Sequence, residues 1–535
     1  MMHKFRIILF VFMTAHAQSE SAVYPSTATA TTTIPFDLPS GKVVYTKRLT
    51  EATMNPKLRK MDYAVRGKVV IAADRIHAEL SDQSVPSLSS TSMKKYPFDH
   101  IVYTNIGNPH SVGQLPLTWP RQVMALADLP DALGVDHPDA PKLFPADAIR
   151  RAREIKEGLG GAGTGAYTHS QGAKAFRDDI CQFLFDRDKI PSRPEDIFMT
   201  NGASSAIEMV LSCLIANSQC GVMIPIPQYP IYSATIDLHD GHKVGYYLDE
   251  ERNWDLNMEE LERSLRDAIE EGIDVRALVL INPGNPTGQV LSENAVQDIV
   301  RFCAKHNLVL LADEVYQANI YDENLKFVSC KKAAYDAGVQ DRIELASFHS
   351  TSKGLYGECG RRGGYMELFG FDEDVKGHLY KLASASLCST VSGQIMTSLM
   401  VRGPQPGDES YESHEAEKEV IFQSLKRRAK LVSEGLNSID GFSCQPAQGA
   451  MYCFPKVEMP EGAIRVADEL NTTPDSVYAV SLLEATGICV VPASGFAQRP
   501  GRYGFRTTFL PSESEMKRCV EAIRKHYESF CIDYA

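Results

Sequence analysis

No two of the twelve cysteines in this 535-residue chain stand in a C-x-x-C arrangement. Without that spacing, neither a zinc ribbon nor a dithiol redox centre has its ligands, and the scattered thiols read as reduced and mostly buried. An excess of positive charge is also missing, since 55 basic against 68 acidic residues leave a net charge of −13. Such a balance argues against nonspecific nucleic-acid binding and leaves small anionic ligands to be drawn in by local positive charge. The apolar run Ile7–Met13 is far too short to span a bilayer, so no membrane span is expected. Internal repeats and heptad arrays are absent. The pair His239 and His242 has no third ligand at a usual spacing and reads as a solvated turn, so no metal is expected.

Acidic residues are lacking before Glu20, where Lys4 and Arg6 lead into Ile7–Met13 and then the small-residue step Ala15-His16-Ala17. This is the pattern of a secretory signal or of a basic organellar presequence. The Ser/Thr/Ala-rich stretch Ser26–Thr33 suits a transit peptide, so residues 1–35 are set aside as a targeting segment with mitochondrial import expected. At 535 residues the chain exceeds one typical core, which predicts two domains or one large domain with a satellite. A content of 44% hydrophobic and 23% charged residues is that of an ordinary soluble globular protein.

Helical periodicity is read over 65–80 and 146–157, a short strand over 99–103, and a turn at 105–109. Beyond these, strand-length apolar runs at 197–200, 221–225, 275–281, 308–312 and 343–348 alternate with helical patterns, one starting at Ser204 and another covering 292–306. The alternation predicts an α/β fold with a mainly parallel sheet covered on both faces, and ligands gather at the carboxyl ends of such strands. Gly158–Gly163 matches G-x-G-x-x-G, but a helix and not a strand precedes it, which breaks the dinucleotide-binding context.

Polar residues with chemical use fall at those strand ends. Ser347–Tyr365, SFHSTSKGLYGECGRRGGY, sets Lys353 among Ser350, Ser352, five glycines and the pair Arg361 and Arg362. A lysine amine, with an ordinary pKa of about 10.4, becomes a nucleophile when desolvated or placed beside another cation. Hydroxyls and guanidinium groups bind phosphate, and glycines allow close backbone approach, so the combination points to pyridoxal phosphate; a solvated loop is the other reading. Gly202, Ala203 and Ser204 open a helix whose amide groups suit a phosphate or form a plain cap. Tyr229 could face a flat ring or only pack. Asn285 lies in the turn-rich NPGNPTG. Asp313 ends the buried run LVLLAD, where a carboxylate must be paired or protonated; a pyridinium nitrogen is one partner and a helix cap another. Tyr316 follows one turn later, and Arg506, in FRTTFLP, offers a fork for a carboxylate.

In order and spacing, Gly202, Tyr229, Asn285, Asp313 with Tyr316, Ser350-x-x-Lys353 and Arg506 resemble the fold-type I pyridoxal-phosphate aminotransferases. Within them, YAVRG, NIGNPHSVGQLPLTWPRQV, GAYTHSQG, INPGNPTGQV, SFHSTSKG, GECG, AQGAMYCFP and LLEATGICVVPASGFAQRPGRYGFRTTFLP are most similar to the alanine aminotransferase group, and the likeness runs from about Lys42 to the C-terminus. The resemblance implies a large domain at 145–412 with a seven-stranded-type sheet. A smaller α/β domain would be built from 36–144 and 413–535. It implies that Lys353 holds the cofactor covalently and later carries the substrate proton, that Asp313 pairs with the ring nitrogen, and that Tyr229 stacks on the ring. Tyr316 and Asn285 would bond the phenolic oxygen. The phosphate would be held by Gly202, Ala203, Ser204, Ser350 and an arginine, with Tyr167 reaching it from the other subunit of a homodimer. Counting eight residues from the lysine selects Arg361, whereas the R-x-G-aromatic pattern and the GEC insertion select Arg362, the expected residue. Arg506 would clamp the substrate carboxylate, with Gly107 and Asn285 beside it. The implied reaction is ping-pong transfer of the amine of L-alanine to 2-oxoglutarate. A glutamate:glyoxylate aminotransferase is the nearest alternative, and a lyase of the same fold a further one.

Overall fold

The computed structural model describes residues 47–535 apart from 62, 64–66, 82–94 and 162. The expected targeting segment 1–35 and most of YAVRG therefore lie outside the described residues. The helix expected over 65–80 forms α1, Lys68–Ser81, which buries Val69, Val70, Ala73 and Ile76.

The central sheet is built from β1 Ile197–Thr200, β2 Cys220–Ile226, β3 His242–Tyr247, β4 Asp274–Ile281, β5 Val309–Asp313, β6 Leu345–Ser350 and β7 Gly364–Phe369. Its order is β1-β7-β6-β5-β4-β2-β3, with β7 antiparallel to both neighbours and every other pairing parallel. Successive residues of each strand enter opposite cores. Met223, Leu278, Leu310 and Leu345 go to one face. Val222, Val279, Leu311 and Ala346 go to the other. This is why the strands read as unbroken apolar runs. Each such side chain contributes about 1.5–3 kcal/mol by leaving water. Two strands were not expected from the sequence. β3 exposes alternate residues, and β7 carries Glu367, whose buried carboxylate is met by Lys331 Nζ at 2.6 Å and by the Ser192 hydroxyl at 2.6 Å.

A second core joins α1 to Tyr316, Tyr321, Tyr452, Tyr478, Phe505 and Phe530. Val102 and Tyr103 pair in parallel with Ile488 and Cys489, which fastens the segment carrying Asn105 and Gly107 to the C-terminal part of the chain. There β8, Tyr452–Cys453, and β9, Val491–Pro492, flank β10, Phe505–Thr508, in antiparallel register. The site is built at the carboxyl ends of β2, β4, β5 and β6, where Tyr229, Asn285, Asp313 and Lys353 end or follow the strands, together with Tyr316 and Tyr452 of the core around α1.

Candidate active site

Asp313 is the last residue of β5 and stands opposite Ile281 of β4 and Phe348 of β6. Its carboxylate is 3% exposed, so the protein supplies its partners. Oδ2 accepts a hydrogen bond from the Tyr232 hydroxyl at 3.1 Å, and Oδ1 has no partner among the described residues. Burial pushes the Asp313 carboxyl up to about 6, against the opposing pull of Tyr232, the Val315 amide and Lys353. A buried carboxylate with one free oxygen fits a cationic ring N–H. Tyr232 lies on the helix Pro230–Leu238, three residues after Tyr229, which caps that helix, so the two phenols share one face. The half-buried Tyr229 hydroxyl lies 3.2 Å from the Tyr63 hydroxyl.

Lys353 follows β6 and turns back across the cleft, where its Nζ donates to the Gly107 carbonyl at 2.8 Å. Gly107 is required by close approach. A Cβ there would lie 2.7 Å from the Tyr452 hydroxyl and 2.8 Å from Lys353 Nζ. Ser350 Oγ donates to the Gly363 carbonyl at 3.2 Å and accepts from the Ser352 amide at 3.1 Å.

Beyond β1, Gly202 takes φ +81° and starts the helix Ala203–Leu214, whose first amides, near Ala203 and Ser204, receive no side-chain cap. Arg362, itself at φ 56°, donates Nη2 to the Asn201 carbonyl at 2.8 Å, and a Cβ on Gly202 would come within 2.9 Å of that nitrogen. Arg361 turns instead toward Glu358, 3.9 Å away. A bare helix N-terminus faced by Arg362 is the cradle a phosphate requires. Tyr167 is 77% exposed on its loop and makes no part of this cradle within the chain.

Arg506 enters from β10 and is 1% exposed. Its Nη1 donates to Asn285 Oδ1 at 3.0 Å, Nη2 donates to the Asn105 carbonyl, and Nε has no partner among the described residues. The guanidinium packs against two rings, 4.3 Å from the centroid of Tyr452 and 4.8 Å from that of Phe496. With no ion pair to a carboxylate among the described residues, this buried cation is left uncompensated by them, which suits an anionic substrate group. Tyr316, 1% exposed, donates its hydroxyl to that of Tyr452 at 3.0 Å, and Lys353 Nζ lies 6.0 Å from the Tyr316 ring.

The geometry brings Lys353, Gly107, Asn285, Tyr316 and Arg506 into one chain of contacts, with Asp313 behind it and Gly202 and Arg362 at one end. Sequence reasoning missed Tyr63, Tyr232, Asn105, Tyr452 and Phe496. Only Tyr232 left a usable signal, its three-residue spacing from Tyr229. Among the described residues no three His, Cys, Asp or Glu side chains gather as metal ligands.

Residues 134–523 match the family model described as aminotransferase class I and II. The chain is 49% identical over 482 residues to alanine aminotransferase 2 of Panicum miliaceum, covering 90% of this chain and 98% of that protein. It is likewise 49% identical over 487 residues to the mitochondrial alanine aminotransferase 1 of Arabidopsis thaliana, covering 91% and 88%. Among solved structures, an aminotransferase from Escherichia coli superposes with a TM-score of 0.66 at 25% identity, over 90% of this chain and 98% of that one.

Proposed function

Because the chain belongs to the class I and II aminotransferases, enzymes that work with pyridoxal 5′-phosphate, we propose that it moves the amine of L-alanine to 2-oxoglutarate, giving pyruvate and L-glutamate. The observation that carries this reading is the placement of Lys353 Nζ, held on Gly107, where its charge acts on the half-partnered Asp313 and where it shares Tyr452 as a neighbour with the buried fork of Arg506. The names of the plant relatives support alanine as the amino donor.

Lys353, Asp313, Tyr229, Tyr316, Asn285, Ser350, Gly202, Ala203, Ser204 and Arg362 would hold the cofactor. When bound, it supplies an electrophilic carbon for the substrate amine and an electron sink for the Cα–H bond. Lys353 would hold the cofactor covalently and, once its amine is free, would move the proton at the substrate Cα. Asp313 keeps a proton on the ring nitrogen. Arg506 binds the substrate carboxylate, and Gly107 leaves room for the substrate beside Lys353. The rings of Tyr452 and Phe496 keep water from the guanidinium, which strengthens its pairing. A homodimer in which Tyr167 reaches the other subunit's phosphate completes the reading. A Tyr167→Phe enzyme that holds cofactor as tightly as wild type would remove that residue. Mitochondrial import rests on residues 1–35 and on the mitochondrial Arabidopsis relative. A reporter fused to those residues that stayed outside the organelle would overturn it.

The direct test loads residues 36–535 with cofactor, adds L-alanine without any 2-oxo acid, and measures pyruvate per subunit with the cofactor spectrum. About one equivalent, with the cofactor left in its amine form, is the ping-pong outcome. Continuous release points to a lyase, and glyoxylate outcompeting 2-oxoglutarate as acceptor moves the substrate while keeping the family.

Arg506→Lys keeps the charge but loses the fork. KM for both alanine and 2-oxoglutarate is expected to rise about 10- to 100-fold with a smaller change in kcat. Steady-state kinetics with each substrate varied checks this, and an unchanged KM removes Arg506 as the clamp.

A further inference from the structure

We propose that Tyr452 is a positioning residue with two separable tasks, its ring fixing the plane of Arg506 and its hydroxyl setting the hydrogen bond that Tyr316 gives to the cofactor. The proposal rests on Arg506 being the carboxylate clamp and on Tyr316 facing the cofactor's phenolic oxygen.

The first task follows from strand register. Tyr452 of β8 stands opposite Thr508 of β10, two residues beyond Arg506, so Tyr452 and Arg506 are diagonal neighbours on one face of the ribbon. This puts the phenol ring 4.3 Å from the guanidinium, and the ring of Phe496 also packs against it at 4.8 Å. Packed against two rings, a planar guanidinium loses freedom to tilt. The freedom that remains is removed by Asn285 and the Asn105 carbonyl, which hold Nη1 and Nη2. The fork is thus set before a carboxylate arrives.

The second task follows from the hydroxyl. Tyr316 donates to it at 3.0 Å, with the two rings edge to face at 83°. Tyr316 has one proton to give. When that proton turns to the cofactor, the oxygen of Tyr316 becomes free to accept, and the Tyr452 hydroxyl is in place to reverse and donate to it. A hydroxyl that accepts one bond while giving another is the stronger donor. Tyr452 is suited to that reversal. Burial alone would raise its phenol, but Lys353, Arg506 and the bond from Tyr316 together bring it below the ordinary tyrosine range, while burial holds Tyr316 above it.

Two substitutions separate the tasks, because phenylalanine keeps the ring and loses the hydroxyl, whereas leucine loses both. In the full-length holoenzyme the absorption of bound cofactor is titrated with pH without substrate, and KM is measured for alanine and 2-oxoglutarate. Losing donors to the phenolic oxygen makes the cofactor harder to deprotonate. Tyr452→Phe should therefore raise the spectral midpoint by about 0.5 pH unit or more while leaving both KM values within about twofold of wild type. Tyr452→Leu should raise the midpoint as far and also lift both KM values about tenfold. Should the leucine variant not accumulate, Tyr452→Met replaces it. An unmoved midpoint in Tyr452→Phe overturns the hydroxyl task. A wild-type KM in the ring-less variant, where Arg506→Lys does raise KM, overturns the ring task alone. If Arg506→Lys leaves KM unchanged, the clamp reading and the ring task fall together, and the midpoint still decides the hydroxyl.

Discussion

Lys353→Ala abolishes turnover, with the rate of the alanine half-reaction falling about 10⁴-fold or more. A loss of that size is more than 5 kcal/mol of barrier. Folding cannot account for it, since among the described residues the lysine amine makes one hydrogen bond, to the Gly107 carbonyl, worth about 1.5–3 kcal/mol of stability. The variant should therefore remain folded, with a melting temperature near wild type. It should still retain cofactor, because Asp313, Arg362 and the amides after Gly202 are unchanged. What it lacks is an amine able to bind covalently and then carry a proton at the substrate Cα, and no neighbour replaces it. Tyr452 shares the space over Gly107 with Lys353, but its hydroxyl is already committed to Tyr316. Rapid mixing of the loaded variant with L-alanine measures the effect. A half-reaction within tenfold of wild type, about 1.4 kcal/mol, would contradict the role given to Lys353.

The residues legible in the sequence share one property. β2, β4, β5 and β6 are apolar along both faces, so they stand out as runs, and whatever polar residue ends such a run is conspicuous. Asp313 was found in that way. β7 was hidden because Glu367 interrupts it, and the lysine that neutralises Glu367 lies 36 positions away. β3 was hidden because its pattern alternates and opens with a histidine. The missing half of the site has the same cause. Asn105, Tyr452 and Phe496 meet Arg506 and Lys353 only after three distant segments dock, and a tyrosine in AQGAMYCFP reads as core by its neighbours. Arg361 and Arg362 are alike in type, and what separates them is backbone. The left-handed φ of Arg362 turns its guanidinium to Gly202 and Asn201, while Arg361 is left toward Glu358.

Asp313→Asn should cost about 10²- to 10⁴-fold in kcat/KM while making the cofactor-free protein more stable above neutral pH. Both effects come from one carboxylate. Burial raises it to about 6, so between the unfolded value near 4 and this folded value the native state binds a proton that the unfolded chain does not. Stability from this group is therefore greatest in acid and falls as pH rises through that window, by about 3 kcal/mol once pH exceeds 6. Asparagine has no charge to desolvate and can keep an acceptor for the Tyr232 hydroxyl. The cofactor-free variant should therefore melt above wild type at pH 8 and close to it near pH 4. In the loaded enzyme the sign should reverse, because Asp313 would then pair with a cationic ring N–H, and breaking such a buried pair costs about 3–5 kcal/mol. Wild type should then gain more in melting temperature from cofactor at pH 8 than the variant does. The ring nitrogen of the variant loses its proton and, with it, much of the pull on the Cα–H electrons. Paired melting curves at the two pH values, with and without cofactor, separate this account from simple loss of binding. A variant no more stable than wild type without cofactor at pH 8 would mean that Asp313 is not strained by burial, and that its free oxygen is not held in readiness for a cation.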